Sequence, residues 1–283
     1  MTTVQDKVRA GREYWDAFSD RYTETANKRV TRQCAVHMHS HMQLERATRV
    51  LEVAAGAGLG SLDIVDRLLQ RVEGQAEDGV AQKTLMVTDF SDSMVEKAKK
   101  NLAHASSDRL KVEVSPANAL ALTHLENASV DRYIANLCLQ LCADADEMLR
   151  EARRVLTSDG IAGFTIWGRP EFSGKFSIRA AVDKELGLTD GSLHPNFTFG
   201  TDLNAVRARF HAAGFSKVVV WPFLCVLELW SGESFADFYS DTFYEGDVEL
   251  RAKQHAVAKR LGDEWLAKGF PIGLETYIIL ARP

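Results

Sequence analysis

Residues 50–60 read Val-Leu-Glu-Val-Ala-Ala-Gly-Ala-Gly-Leu-Gly, and the stripe Leu62, Val65, Leu68, Leu69 and Val72 follows at helical spacing. An apolar strand that turns through tiny side chains into a helix leaves bare backbone for a ligand, because Gly56 and Gly58 carry no Cβ. The first N–H groups of that helix have no partner inside it and face the same place. The acid of the stretch, Glu52, sits two residues inside the strand. A carboxylate there favours a cationic or hydroxyl-bearing ligand over a phosphate. A plain strand-to-helix turn would look the same locally, so the neighbouring segments must decide.

Three ligand classes use such turns. A phosphate-binding loop needs a Lys after its last Gly, and none follows Gly58 or Gly60. A dinucleotide fingerprint starting at Gly56 puts Ser61 where the third Gly belongs. The first acid of the next strand, Asp89, then lies 31 residues beyond Gly58 rather than about 20. Both details count against NAD.

Outward from the turn, short apolar or β-branched runs at 50–53, 85–87, 112–114, 133–137, 161–167, 218–221 and 274–280 alternate with helical stripes. The stripes are Met148, Leu149, Ala152, Val155 and Leu156, then Leu203, Val206, Phe210 and Ala213. This alternation predicts an α/β fold, a doubly wound, mostly parallel sheet of seven strands with helices on both faces. Ligands of such sheets sit beyond the carboxyl ends of the strands where the strand order reverses. Glu52, Asp89, Asn118 and Asn136 all fall at or near those ends.

Four segments share one further property. Glu52, Ala54, Gly56 and Gly58 follow the pattern E/D-x-G-x-G-x-G with Ala in the first Gly place. Residues 89–94 read Asp-Phe-Ser-Asp-Ser-Met, residues 115–120 read Ser-Pro-Ala-Asn-Ala-Leu, and residues 154–160 read Arg-Val-Leu-Thr-Ser-Asp-Gly. In that order the chain resembles the class I (Rossmann-like) S-adenosylmethionine-dependent methyltransferases of the small-molecule type, over roughly residues 49–168. The resemblance implies S-adenosylmethionine as cofactor and S-adenosylhomocysteine as product. It implies that Asp89 grips the ribose hydroxyls, with Phe90 on the adenine and Met94 nearby. A carboxylate can accept two O–H donors at once, although Asp89 is also placed to cap the helix after it. Asn118 and Ala119 would meet the adenine edge, Asn in place of the family's Asp keeping a carbonyl acceptor. Asn136 and Leu137, ending the fourth strand, complete the implied contacts. Tyr14 and Tyr22 would cover the methionine end. Ala54 is expected to be tolerated with a negative φ. The last strand, as in the family, is expected antiparallel within the sheet.

Methyl transfer is an in-line displacement at an activated carbon, so alignment matters more than a strong catalytic group. A hydroxyl, phenol or carbon acid acceptor would gain from a general base. His194, in the loop Ser-Leu-His-Pro-Asn-Phe at 192–197, is the candidate, with an ordinary surface-loop histidine as the alternative. His37, His39 and His41 alternate, and His37 with His41 would share a helix face. No acid completes a ligand set conveniently, so no metal is expected.

The net charge of −5 gives no footprint for duplex nucleic acid. The first twenty residues are rich in charge and lack the apolar core of a signal peptide, and no apolar run reaches membrane-spanning length. Four cysteines, at 34, 138, 142 and 225, read as reduced and mostly buried thiols, which fits a cytoplasmic protein. The expected organisation is a helical lid segment at 1–48, a cofactor-binding core at 49–222 plus 271–283, and a helical substrate cap at 223–270. Residues 169–200 read as loop-rich. Aromatics crowd the cap (Phe223, Trp230, Phe235, Phe238, Tyr239, Phe243, Tyr244 and Trp265), which points to a small, partly hydrophobic or aromatic acceptor. A nicotinamide-dependent oxidoreductase and a non-catalytic methyltransferase-like binding protein are the alternative readings. The sequence leaves the oligomeric state open.

Overall fold

The computed structural model describes residues 3–70, 81–243 and 246–283, with the side chains of 26–28 and 241–243 left out. Val72 of the first stripe and Tyr244 of the aromatic segment lie outside the described residues, as does the side chain of Phe243.

The chain opens on α1 (Val4–Tyr22). Thr3 caps it by accepting from Asp6 N at 3.1 Å, and the Asp6 carboxylate accepts from Thr3 N in return. A π-helical stretch, Thr23–Thr31, leads into α2 (Arg32–His39). Then come β1 (Arg49–Val53), α3 (Ser61–Leu69), β2 (Lys83–Asp89), α4 (Asp92–Asn101), β3 (Leu110–Pro116) and β4 (Val130–Ala135). They are followed by α5 (Ala145–Val155), β5 (Leu156–Trp167), α6 (Gly174–Glu185), α7 (Leu203–Ala212) and β6 (Lys217–Val226). The last elements are α8 (Gly232–Phe243), α9 (Val248–Ala267) and β7 (Gly273–Arg282).

Among the described residues, seven strands make one sheet in the order β3-β2-β1-β4-β5-β7-β6. The pairs β1–β2, β1–β4, β2–β3 and β4–β5 are parallel. β6 and β7 are antiparallel, since Ser216 N donates to Arg282 O at one end and Leu227 N to Ile272 O at the other. The chain moves outward from β1 through β2 to β3, then returns to lay β4 on β1's other side. The switch point of this α/β sheet is therefore the gap between β1 and β4. Val50, Leu51 and Val53 of β1 and Tyr133, Ile134 and Ala135 of β4 are buried, as a sheet covered on both faces demands. The helices pay in matching stripes: Ile64, Val65 and Leu68 of α3 and Met148, Leu149, Ala152 and Val155 of α5 are buried, at about 1.5–3 kcal/mol for each large side chain.

Two expectations change. Leu156, expected to end a helical stripe, and residues 157–160 already belong to β5, whose pairing with β4 slips between Val130 and Arg132. The extra residues are taken up as an irregularity in the ladder instead of a loop. Residues 169–200, expected as loop, contain α6, with Ile178 and Val182 buried. Gly174 and Pro170 stand at and before its start, where they punctuate a helix without breaking it.

The chain forms two compact units, Met1–Ile166 with Asp202–Trp221 and Ile278–Pro283, and Trp167–Thr201 with Pro222–Tyr277. The N-terminal helices thus belong to the unit that holds the parallel strands, and 169–200 to the unit that holds α8 and α9. Within the second unit α8 and α9 cross closely, since a Cβ on Gly262 would lie 3.0 Å from Gly232 Cα. Arg169 holds the buried Glu275 with two bonds of 2.8 Å, and Tyr239 donates to Asp183 at 3.2 Å.

Candidate functional site

A cleft opens in the first unit. Its wall includes Ala54 and Gly56 after β1, Asp89 and Phe90 at the end of β2, Ala117 to Leu120 after β3, and Asn136 to Cys138 after β4. The tips of four neighbouring parallel strands thus converge at the switch point. Met94 of α4 and Tyr22 also line the cleft, and α1 adds Lys7, Val8, Gly11 and Trp15.

The turn after β1 is built from left-handed backbone. Ala54 has φ +50°, Gly56 +58° and Gly58 +73°. The negative φ expected of Ala54 is therefore corrected: an alanine holds a conformation that suits glycine, at a cost of about 1–2 kcal/mol. The turn is tied down by Ala55 N donating to Thr88 O at 3.0 Å and Gly58 N to Ala55 O at 3.1 Å. Gly58 is not part of the wall. A Cβ there would lie 3.2 Å from Ala98 Cβ and from Leu102 Cδ1, so this glycine lets the turn pack on α4.

Asp89 is the polar centre. Its Oδ2 accepts from Gly56 N at 2.8 Å and its Oδ1 from Ser91 N at 2.9 Å. Each oxygen keeps a further lone-pair position. Burial pushes its carboxyl above the usual range against the pull of the Ser91, Gly56 and Phe90 amides, and nearby Asp16 adds to the rise. Helix capping falls to Ser91, which accepts from Met94 N at 3.2 Å, so Asp89 is left for the cleft.

Glu52 lies behind the wall. It is buried, takes the Ser61 hydroxyl as donor, and burial raises its pKa to about 7 despite that bond. Asn118 Oδ1 accepts from Leu120 N at 3.0 Å and shapes the turn after β3, with Ala119 beside it on the wall. The Asn136 amide donates to Thr31 O at 3.1 Å, and its oxygen accepts from Thr165 at 2.6 Å and from Cys34 Sγ at 3.3 Å. Leu137, at φ +51°, has its N–H held by Thr165.

On α1 the structure separates the two tyrosines. Tyr22 lines the cleft, its hydroxyl pushed well above the usual tyrosine range by burial. Tyr14 is 57% exposed and packs on Trp15 and Phe18, with ring centroids 5.5 and 5.4 Å away. It is no part of the wall; Trp15 is. Sequence reasoning missed Lys7, Val8, Gly11 and Trp15, although helical spacing puts Gly11, Trp15 and Tyr22 on one face and Tyr14 about 100° away from Trp15. Two carboxylates latch α1 to α4. Asp16 accepts from Ser91 Oγ at 2.6 Å and Ser93 N at 3.2 Å, and Asp20 pairs with Lys97 at 2.5 Å.

His194 belongs to the second unit. Its Nδ1 accepts from Asn196 N at 3.2 Å, capping a short 3₁₀ turn, and its ring lies 4.8 Å from Trp167. Burial, with Arg179 nearby, lowers its pKa. In this structure Nδ1 is engaged by the Asn196 amide, and His194 is not among the residues that line the cleft. The histidine run splits: His39 is buried against Asp63 at 2.8 Å, while His37 accepts from Trp221 Nε1 at 3.1 Å with His41 beside it.

Residues 44–165 match a family model described as a methyltransferase domain. A malonyl-[acyl-carrier protein] O-methyltransferase of Geobacter sulfurreducens is 29% identical over 61% of this chain, and the match spans 57% of that relative's own length. Methyltransferase ucsB of an Acremonium species is 23% identical over 74% of this chain and 70% of the relative. Among solved structures, the YcgJ protein of Bacillus subtilis superposes with a TM-score of 0.53 at 17% identity, covering 89% of this chain and 99% of the other. Residues 44–165 carry a methyltransferase domain, and the seven-stranded sheet has the class I, Rossmann-like fold.

Proposed function

We propose that the protein transfers a methyl group from S-adenosylmethionine to a small, partly apolar acceptor. The observation that carries this reading is Asp89. It stands at the switch point with one lone-pair position left on each carboxylate oxygen, opposite backbone that has no side chain at Gly56. Two adjacent ribose hydroxyls match that pattern of acceptors; a pyrophosphate, itself anionic, is repelled by it.

The donor supplies a methyl group on a positively charged sulfur, so the chain need only bind, orient and keep water out. Asp89 accepts the hydroxyls, Phe90 and Met94 give an apolar bed for a flat base, and the turn at Asn118 and Ala119 faces the base edge. Trp15 and Tyr22 of the latched helix α1 cover the cleft. The apolar part of the wall, with Val8, Leu120 and Leu141, supports an acceptor with hydrophobic or aromatic surface. The Geobacter relative is named for O-methylation of a malonyl group, so a carboxyl oxygen is the first acceptor to try.

Calorimetric titration tests the cofactor. S-adenosylmethionine and S-adenosylhomocysteine are expected to bind in the micromolar range and NAD not at all. Asp89→Ala is expected to weaken S-adenosylhomocysteine by about 2 kcal/mol or more, since it removes hydrogen bonds to a charged group. Unchanged affinity would end the ribose assignment. Metabolite extracts incubated with isotopically labelled donor then report the acceptor.

A further inference from the structure

Two thiols stand in the wall of the cleft. Cys138 Sγ and Cys142 Sγ are 3.6 Å apart, and both side chains line the cavity. They bracket one 3₁₀ turn, Leu139–Leu141, closed by Leu141 N donating to Cys138 O at 2.8 Å. The other cysteines, Cys34 and Cys225, are buried. Cys142 also lies 3.2 Å from Met148 Sδ on α5. Methyl transfer as described uses neither thiol.

We propose that Cys138 and Cys142 are a peroxide-sensitive pair whose oxidation to a disulfide closes the cofactor cleft to its ligand. The proposal rests on the reading of that cleft as the S-adenosylmethionine site. With the sulfurs already 3.6 Å apart, side-chain rotation with a small backbone shift brings them to bonding distance. The oxidant is hydrogen peroxide or an alkyl hydroperoxide. The thiolate of Cys142 attacks a peroxide oxygen, the O–O bond breaks, and a sulfenic acid forms with release of hydroxide that becomes water. Cys138 Sγ then attacks that sulfur. The S–O bond breaks, and the departing hydroxide leaves as a second water with the Cys138 proton. Two thiols and one peroxide thus become one disulfide and two waters, the thiols oxidised by two electrons and the peroxide reduced by two.

Coupling to the cleft follows from where the pair is anchored. Cys138 directly follows Leu137, which has φ +51° and an N–H fixed by Thr165. The Leu137 backbone cannot follow a shift without losing those bonds. The displacement therefore falls on Leu141, Cys142 and Ala143, which are also wall residues.

The full chain, treated with hydrogen peroxide and then freed of it, provides the test. Expected are a loss of 2 Da, a peptide map joining Cys138 to Cys142, and S-adenosylhomocysteine binding at least tenfold weaker than in the reduced protein, restored by dithiothreitol. In Cys142→Ser and in Cys138→Ser the ratio of oxidised to reduced affinity is expected to stay near one, whatever each variant's own affinity. A Cys34–Cys138 link, no link at all, or a mapped Cys138–Cys142 disulfide with unchanged affinity would each overturn the proposal. Reduced wild-type protein that fails to bind S-adenosylhomocysteine would sink the proposed function instead, a separate outcome read before any oxidation.

Discussion

Asp89 was legible as a residue of the cleft wall from one strand-end acid and the segment after it, because acid, strand end and helix start leave few geometries. Glu52 was legible as a residue but not as a burial. Its raised pKa of about 7 comes from desolvation behind the wall, which no local sequence pattern reports. A carboxyl whose folded pKa lies above its unfolded value binds protons more tightly when folded. Its stabilising contribution is complete below about pH 4.5 and is lost as pH rises through about 7. Glu52→Gln is therefore expected to flatten the stability profile between pH 4.5 and pH 7, removing a slope that totals on the order of 3 kcal/mol. Urea unfolding of both proteins at pH 5 and pH 8 measures it; equal pH dependence would show that Glu52 does not titrate there. Ala54 makes the opposite case, a residue whose strain is invisible without φ. Ala54→Gly relieves about 1–2 kcal/mol of left-handed strain but gives back about 0.4–1 kcal/mol in unfolded-chain entropy. A net gain of about 0.5–1 kcal/mol in urea unfolding is expected, and a loss would mean that the Ala54 methyl packs usefully.

At the scale of elements, all seven strands were readable, the buried parallel ones as short continuous apolar runs. What the pattern hid was α6, where the punctuation of Gly and Pro outweighed a helical stripe. It also hid the phase of α1. Tyr14, Trp15, Phe18 and Tyr22 fall on or near one face of α1, yet a shift of a single residue turns a side chain by about 100°. The latch by Asp16 decides the phase: burial pushes its carboxyl up, but the bonds from Ser91 and Ser93 outweigh that and hold it below the usual range. Trp15→Ala is accordingly expected to weaken S-adenosylhomocysteine about tenfold, the scale of one lost aromatic contact, and Tyr14→Ala to change it less than about twofold. Calorimetric titration separates them, and the reverse order would put α1 in a different phase when ligand is bound.

For the whole molecule, division into two compact units raises the question of whether they melt separately. Strand β7 bears on it: Gly273–Tyr277 lies in one unit and Ile278–Arg282 in the other. Its Ile278, Ile279 and Ala281 are buried, and so are Leu274 and Thr276. Melting one unit alone would cut β7 between Tyr277 and Ile278, breaking a continuous strand and exposing the buried side chains at the cut, at a cost in free energy. That cost favours one cooperative transition over two. The cleft walls come from the first unit, so a ligand bound there reports on the coupling. S-adenosylhomocysteine at one hundred times its Kd adds about 2.7 kcal/mol to the folded state. Differential scanning calorimetry is expected to show a single peak that moves as a whole when ligand is added. Two peaks, with only one displaced, would show that the shared strand does not bind the two units into one folding transition.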